Sequence, residues 1–272
     1  MWVKVVLALL FCLMVAGAFH FAQPPESEET VNTTRTQRSL RLLTWNIGYA
    51  ELEDDTRAHT KDLPAIAEVI LKADPDAVAL QELTGKQQLN VLLGLLRGRY
   101  RGEVAERGQS DRFEAVLVKD TKAVFTPVAL GSRYALGATF KPHVDGPQVV
   151  LLSAHADAFN AARRRRYTEG LMDWVQAHTQ SKEVFLAGDF NFELKAANET
   201  NLYTDNVKHD SESYSYILRS FQDLGRDAGD TAINDRRIDY VFGQAPVERV
   251  EVLRDAAVGR MDHWPLVVEV SF

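Results

Sequence analysis

Four polar side chains that can bind a ligand or move a proton each follow a short apolar run of strand length. Asn46 comes after the run LRLLTW, Glu82 after AVAL, His155 after VVLLS and Asp189 after EVFLA. Open α/β sheets bind ligands at the edge where neighbouring strands end together. We therefore expect these amide, carboxylate and imidazole groups to meet at one edge of a sheet.

Carboxylates are the main candidate metal ligands of this sequence. Glu82, Asp189, Asp239 and Asp262 offer oxygen atoms, Cys12 is the only cysteine, and there is no H-E-x-x-H or paired-histidine spacing. Hard oxygen ligands suit Mg²⁺ or Mn²⁺, whereas zinc favours thiolate and imidazole ligands. The sequence therefore predicts Mg²⁺ or Mn²⁺ as the cofactor.

The combination of metal, carboxylate and imidazole suits the hydrolysis of a phosphodiester. That reaction must neutralise charge on the phosphoryl oxygens, hold a water in line and help the leaving oxygen depart. The sequence contains no G-x-S-x-G elbow and no P-loop, so serine hydrolases and nucleotide-driven enzymes are not leading hypotheses. A net charge of −7 gives no overall basic field for nucleic acid, but it neither names nor excludes a substrate.

The elements that must position these side chains follow from the apolar periodicity. With 46% hydrophobic and 25% charged residues, the composition is that of a globular chain, which excludes a disordered, coiled-coil or polytopic membrane protein. Strands alternate with helices, and the middle of the chain is β-rich. Helices are predicted over residues 61–73, 86–96, 161–178 and near 214–221, and strands near 40–45, 77–80, 113–118, 123–130, 134–140, 149–153, 183–187, 237–242, 247–253 and 264–272.

The first 22 residues predict a signal peptide or a membrane anchor. An apolar run over residues 5–19 is short for a membrane span, and Ala16-Gly17-Ala18 matches an A-x-A cleavage site. We therefore predict an exported protein, periplasmic or secreted, with a retained membrane tether as the alternative. Residues 23–39 are typical of a polar linker, residues 40–272 are predicted to form one domain, and no obligate protein partner is predicted.

Six short motifs occur in sequence over most of the predicted domain. They are TWNIG (44–48), LQEL (80–83), SAHAD (153–157), LAGDFN (186–191), RRIDYVF (236–242) and MDHWPL (261–266). In this order and spacing, residues 40–272 resemble the endonuclease/exonuclease/phosphatase superfamily of DNase I-like phosphodiesterases. The resemblance implies an α/β (α+β) four-layer sandwich, with two mixed β-sheets packed face to face and flanked by helices, and metal-dependent hydrolysis of a phosphoester.

The resemblance assigns metal binding to three residues. Glu82 is similar to the principal metal carboxylate of the family, and Asn46 and Asp262 are expected close to the metal. The chain departs from the family at Met261, where a serine commonly precedes the Asp-His pair. This change removes a hydroxyl that could support the site, but Asp262 and His263 are both present.

The resemblance assigns the catalytic steps to five further residues. Asp189 is similar to the group that orients or deprotonates the attacking water, and Asn191 to a hydrogen-bond donor to phosphate oxygens. His263, oriented by Asp239, and His155 resemble the pair that contacts or protonates the phosphoryl group. Such an Asp–His pair fixes the imidazole tautomer, and no serine or cysteine nucleophile accompanies it here.

Several of these side chains also have ordinary structural interpretations. His155 could close a strand within the core, leaving the polar role to Asp157 or Asn160. Trp45 and Trp264 flank the predicted site and are interpreted as core aromatics, with base stacking as the alternative.

Arginines near the motifs have ordinary interpretations as well. Asp239 could pair with Arg236 or Arg237 on the surface. The tetrad 163–166 opens a helix, so its side chains fan around the axis, and we interpret it as a solvated face with one buried ion pair.

The leading hypothesis is an exported Mg²⁺-dependent endonuclease whose substrate is nucleic acid. A lipid phosphodiester is the alternative substrate, which would make the protein a sphingomyelinase, a phospholipase C-type enzyme or a lipid phosphatase. Against this alternative, the sequence has no evident aromatic-rich hairpin for docking on a bilayer. A catalytically silent binding module on the same fold is the third hypothesis, because fold alone does not fix function.

Overall fold

The computed structural model describes residues 39–48, 61–107, 111–180, 182–200, 203–256, 258–259 and 261–272. The predicted signal segment, residues 1–22, and the linker up to residue 38 lie outside the described residues. No helix within the described ranges is long and apolar enough to cross a membrane.

Strands and helices alternate through the described chain much as the periodicity predicts. The strands are β1 (Ser39–Asn46), β2 (Ala77–Leu83), β3 (Arg101–Val104), β4 (Phe113–Val118), β5 (Val124–Leu130), β6 (Arg133–Phe140), β7 (Val149–His155), β8 (Glu183–Asp189), β9 (Gln222–Asp223), β10 (Asp239–Gly243), β11 (Val247–Val252) and β12 (Leu266–Ser271). The α-helices are α1 (Leu63–Ala73), α2 (Lys86–Leu95), α3 (Ala161–His178) and α4 (Val207–Ile217).

The strands form two six-stranded sheets. The first has the order β11-β12-β1-β2-β4-β3, and the second has the order β5-β6-β7-β8-β10-β9. Both sheets are mixed, because β1 runs parallel to β2 and β7 parallel to β8, whereas the other neighbours are antiparallel. The predicted class, an α/β sandwich of two mixed sheets with helices, is confirmed.

Three apolar clusters fill the spaces between four layers. Alternate residues of a strand face opposite sides of its sheet. Leu42 of β1 and Leu151 of β7 therefore meet in the cluster between the sheets. Leu43 faces outward to α1 and α2, and Leu152 faces outward to α3. Because both faces of the central strands are buried, their sequences are continuous apolar runs instead of alternating ones.

A buried polar bridge joins the two sheets beneath the strand ends. The Gln81 side-chain amide on β2 donates to Ser153 Oγ on β7 at 3.0 Å and to Thr44 Oγ1 on β1 at 3.3 Å. Ser153 Oγ donates in turn to the Leu80 carbonyl at 3.0 Å. Buried polar groups that are fully paired in this way specify one arrangement of the surrounding elements. The bridge therefore fixes β1 and β2 relative to β7.

Helix α4 begins seven residues before the predicted helix near 214–221, so that boundary is wrong. Asn206 caps the helix by accepting from the His209 backbone N–H at 3.0 Å. The helix carries Asp210 inward, where Arg164 meets it with bonds of 2.6 and 2.8 Å. Asp210 interrupts the apolar pattern on the buried face of α4, and its partner Arg164 lies on α3. The apolar periodicity of this segment therefore did not predict the start of the helix.

The Arg164–Asp210 pair connects two loops that lead away from the site strands. Both side chains are 0% exposed, which confirms one buried ion pair in the arginine tetrad. Arg164 Nη1 donates to the Asp157 carbonyl after β7 at 2.8 Å, and the Glu193 backbone N–H after β8 donates to Asp210 Oδ2 at 3.2 Å. The pair therefore anchors both loops to α3 and α4.

We predict that Asp210→Asn lowers the free energy of unfolding by about 3–5 kcal/mol, because it leaves the buried Arg164 guanidinium without its counter-charge. Urea unfolding followed by circular dichroism measures the change. Glu212→Gln is the matched control on the same helix. Its pair with Arg165 is exposed to solvent, so the change should have little effect on stability. Equal stability of the two variants would contradict the assigned role of the buried pair.

Candidate active site at the shared edge of the two sheets

The four strand-end residues predicted to meet do so at one edge of the sandwich. Asn46 and Glu82 come from the first sheet, and His155 and Asp189 are paired neighbours in the second. The Asn46 side-chain amide donates to Glu82 Oε1 at 3.2 Å and to Asp189 Oδ2 at 3.1 Å. A single amide nitrogen thus joins carboxylates from the two sheets.

A backbone irregularity aims Glu82 into this edge. Its φ angle is +64°, and the pairing of β2 with β4 shifts register between Leu80 and Leu83. Positive φ is uncommon for a residue with a side chain and costs on the order of 1–3 kcal/mol. Bulges of this kind redirect a side chain at the end of a strand. The strain therefore falls on the residue predicted to be the principal metal ligand.

Glycine at position 188 permits the close approach of β8 to β7. Its φ is +150°, and a Cβ there would lie 1.9 Å from the Ala154 carbonyl oxygen. Any other residue would force the strands apart. Gly188 thus keeps Asp189 beside His155, whose Nε2 lies 3.6 Å from Asp189 Oδ2.

His263 and Asp239 form a buried pair, as predicted. His263 Nδ1 lies 2.8 Å from Asp239 Oδ2, and its Nε2 lies 3.7 Å from Asp189 Oδ2. Burial alone would lower the pKa of His263, but the Asp239 carboxylate, its hydrogen bond and Asp189 raise it to about 10. The surface alternative for Asp239 is wrong, since Arg236 pairs with Glu193 and Arg237 with Asp223.

His155 has the opposite electrostatic character. Burial lowers its pKa to about 4, and the nearby Asp189 only partly offsets that effect. Its Nε2 also lies 3.8 Å from Glu82 Oε1. At neutral pH the site therefore holds a neutral imidazole at His155 and a cationic one at His263, both facing Asp189.

Asp189 lies at the centre of the group. Burial raises the pKa of its carboxyl, as does Asp239, while the two histidines and the Asn46 amide lower it. Asn191 turns back on it with a φ of +52°, so that its backbone N–H donates to Asp189 Oδ1 at 2.9 Å. The Asn191 side-chain amide donates to the Ala156 carbonyl at 3.4 Å. Its role as a donor to phosphate therefore stays a prediction.

Asp262 lies at the rim instead of inside the buried group. Its side chain is 60% exposed, with Oδ1 3.9 Å from His263 Nε2. Trp45 is fully buried and donates through Nε1 to the His263 carbonyl at 3.1 Å, which confirms its interpretation as a core residue. Trp264 is partly buried beneath the Arg254 guanidinium.

The alternatives to His155 have structural roles in the loop before α3. Asp157 accepts from the backbone N–H groups of residues 159 and 160, and Asn160 caps α3 by accepting from the Arg163 N–H at 2.9 Å. His155, in contrast, faces the carboxylates of Glu82 and Asp189.

Three ionisable residues at the site escaped prediction. Glu114 of β4 is buried with Oε1 3.9 Å from His155 Nδ1, and burial raises its pKa to about 8. Arg112 Nη1 donates to Glu82 Oε1 at 3.3 Å, and Arg133 Nη1 donates to the His155 carbonyl at 3.3 Å. A carboxylate within the apolar run FEAVLV was the available signal for Glu114. Neither arginine lies in a motif.

The donor set fits a divalent cation with oxygen ligands. Asp189, Asp239 and His263 each offer an atom within 4.8 Å of the others, and because the His263 ring is cationic, the two carboxylates are the ligands of this trio. Asp239 Oδ1 is buried with no hydrogen-bond partner. Two carboxylates this close are stabilised in ionised form by a cation. This trio differs from the predicted set, in which Glu82 is the principal metal carboxylate.

We predict that Asp239→Asn lowers the pKa of His263 toward its ordinary value of 6.5, because the variant removes the adjacent charge. The raised pKa stabilises the fold in full below about pH 6.5, and that contribution is lost as the pH rises through about 10. Imidazole NMR titration of EDTA-treated protein measures the pKa, and urea unfolding at pH 7 and pH 10.5 measures the stability. An unchanged His263 pKa in the variant would contradict this electrostatic picture.

Solved structures with this fold come from several bacteria. An endonuclease/exonuclease/phosphatase from Beutenbergia cavernae has a TM-score of 0.67 and 22% identity over 86% of this chain and 72% of its own. One from Bacteroides vulgatus has a TM-score of 0.68 and 17% identity over 86% and 99%. A mannosyl-6-phosphatase from Bacteroides thetaiotaomicron has a TM-score of 0.66 and 18% identity over 86% and 100%.

The family assignment comes from sequence. A search of curated protein sequences gives no significant match. A sequence model of the endonuclease/exonuclease/phosphatase family matches residues 43–265, which include Asn46, Glu82 and His263. The chain therefore belongs to the endonuclease/exonuclease/phosphatase family of phosphoester hydrolases.

Proposed function

We propose that the protein is an exported, Mg²⁺- or Mn²⁺-dependent phosphodiesterase that cuts nucleic acid internally. The observation that carries the proposal is the position of Asp189 between two buried histidines, of which only His263 is paired with a second carboxylate, Asp239. His155 Nε2 and His263 Nε2 lie 3.6 and 3.7 Å from the same Asp189 oxygen. Groups whose pKa values are pushed apart by their surroundings are typical acid and base partners.

Three side chains of the site have separate roles in hydrolysis. Asp189 orients the attacking water and takes its proton, since its raised pKa makes it a better base than an ordinary aspartate. The His263 imidazolium, fixed by Asp239, donates to a phosphoryl oxygen or to the leaving oxygen. Neutral His155, whose Nε2 faces the same Asp189 oxygen, is the second imidazole that contacts the phosphoryl group.

A divalent cation, when bound, supplies the charge that stabilises the phosphoryl oxygens. We propose that Glu82 holds it, with Asn46 and Asp262 close by. The Asn46 amide keeps the Glu82 carboxylate facing Asp189 and therefore facing the site of water attack.

Basic side chains around this edge support nucleic acid as the substrate. Arg112 is about half exposed beside Glu82, Arg163 is 68% exposed after β7, and Arg133 is partly buried against the end of that strand. Cations spread along the rim would contact phosphates on either side of the scissile one. Export is proposed from the apolar run and A-x-A motif within residues 1–22.

We predict that the full-length protein nicks supercoiled plasmid DNA, and that Asp189→Asn lowers the rate about 10²- to 10⁴-fold, because it removes the base. RNA, sphingomyelin and mannose 6-phosphate are assayed in parallel, the last because of the structural likeness to a mannosyl-6-phosphatase. Asp173→Asn, an exposed carboxylate on α3, is the matched control and should retain activity. Released phosphocholine or inorganic phosphate in place of nicked DNA would overturn the nuclease, and no turnover at all would favour a binding module.

We predict that EDTA abolishes turnover and that Mg²⁺ or Mn²⁺ restores it. Binding should also raise the melting temperature, since a ligand at 100 times its Kd stabilises the native state by about 2.7 kcal/mol. Glu82→Gln should reduce that shift, because it removes a proposed ligand. Turnover that persists in EDTA would contradict metal dependence, whatever the substrate.

A further inference from the structure

Phe159 is an exposed aromatic side chain on the loop that follows β7 and His155. It is 61% exposed, and it is the only aromatic among the eight large apolar side chains exposed in the described residues. Two more of the eight lie on loops that carry or contact site residues. Leu194 follows β8, and the Ile233 backbone N–H donates to the Asp262 carbonyl at 2.9 Å. Exposed apolar groups therefore accompany the site on three separate loops.

The turn that carries Phe159 is held firmly. Asp157 Oδ1 accepts from the Phe159 backbone N–H at 3.0 Å and from that of Asn160 at 2.8 Å. Although partial burial raises the pKa of Asp157, these two bonds and Arg163 lower it overall, so the carboxylate stays ionised. The buried Arg164 also holds the Asp157 carbonyl. An exposed ring on such a turn loses little backbone freedom when a ligand covers it.

Cationic groups lie on both sides of this ring along the chain. On the N-terminal side, Arg133 donates to the carbonyl of His155, which is four residues before Phe159. On the C-terminal side, Arg163 is four residues after Phe159, and its guanidinium lies 3.4 Å from Asp157. Phe159 lies only four residues after His155, so their Cα atoms are at most about 14 Å apart. Aromatic rings among basic side chains are the usual combination for binding single nucleotides or strands.

We propose that Phe159 stacks on a nucleobase of the substrate next to the scissile phosphate, and so selects nucleotide diesters over diesters without a nucleobase. This inference rests on the proposed nuclease function. Phe159 replaces the two tryptophans as the stacking platform, since Trp45 is buried and the Arg254 guanidinium lies over the Trp264 ring. Phe159 itself takes no part in proton transfer.

The test compares two diesters with the same leaving group, thymidine 5′-(p-nitrophenyl phosphate) and methyl p-nitrophenyl phosphate. In the full-length protein, Phe159→Ala should lower kcat/KM for the thymidine ester about ten- to a hundredfold, which corresponds to the loss of one stacked base. The methyl ester should be hydrolysed at the wild-type rate. Phe159→Trp should retain the preference, and Phe159→Leu should lose most of it.

Val144→Ala is the matched control, because Val144 is 90% exposed on the turn at the opposite end of β7. It should leave both rates unchanged. An equal effect of Phe159→Ala on the two esters, or no effect, would overturn the inference while leaving phosphodiester hydrolysis intact. If the wild type hydrolyses neither ester and does not nick plasmid DNA, the proposed function fails. Quenching of Phe159→Trp fluorescence by the dinucleotide TpT, above that seen in the wild type, then tests stacking alone, and its absence overturns it.

Discussion

The site depends on one shared hydrogen-bond donor, the Asn46 side-chain amide, which holds carboxylates from two different sheets. Glu82 belongs to one sheet and Asp189 to the other, so their separation is set by how the sheets pack, not by either strand alone. The buried Gln81–Ser153 bridge fixes that packing a short distance below. Because packed interiors transmit small shifts, a change in sheet separation would alter the distance between the two carboxylates.

Burial has opposite outcomes for the two histidines because their partners differ. Both rings are removed from water, which alone favours the neutral form. His263 has Asp239 at 2.8 Å and becomes a stable cation, whereas His155 has no ion-pair partner this close and stays neutral. The position of one carboxylate, Asp239, thus makes one histidine a proton donor and leaves the other a proton acceptor.

The sequence predicted the site where chemistry and local structure coincide, at residues that end apolar strands. This pattern identified Asn46, Glu82, His155 and Asp189. The Asp239–His263 pair was identified through two motifs, RRIDYVF and MDHWPL. The rest depends on tertiary partners that local patterns do not encode. The start of α4 was missed because the Asp210 on its buried face has its partner on α3. Arg112 and Arg133 were missed because only the folded chain brings them to the site.

The pairing of β1 with β12 has a consequence for how the protein reaches its active state. Arg41 and Glu269, 228 positions apart, meet across these neighbouring strands at the centre of the first sheet. Contacts between such distant segments are slow to form, since a long loop must close before they contribute. Asn46 and His263 lie just inside those two segments. The chain would therefore lack a complete site until β12 has docked on β1, and the site would be assembled late in folding.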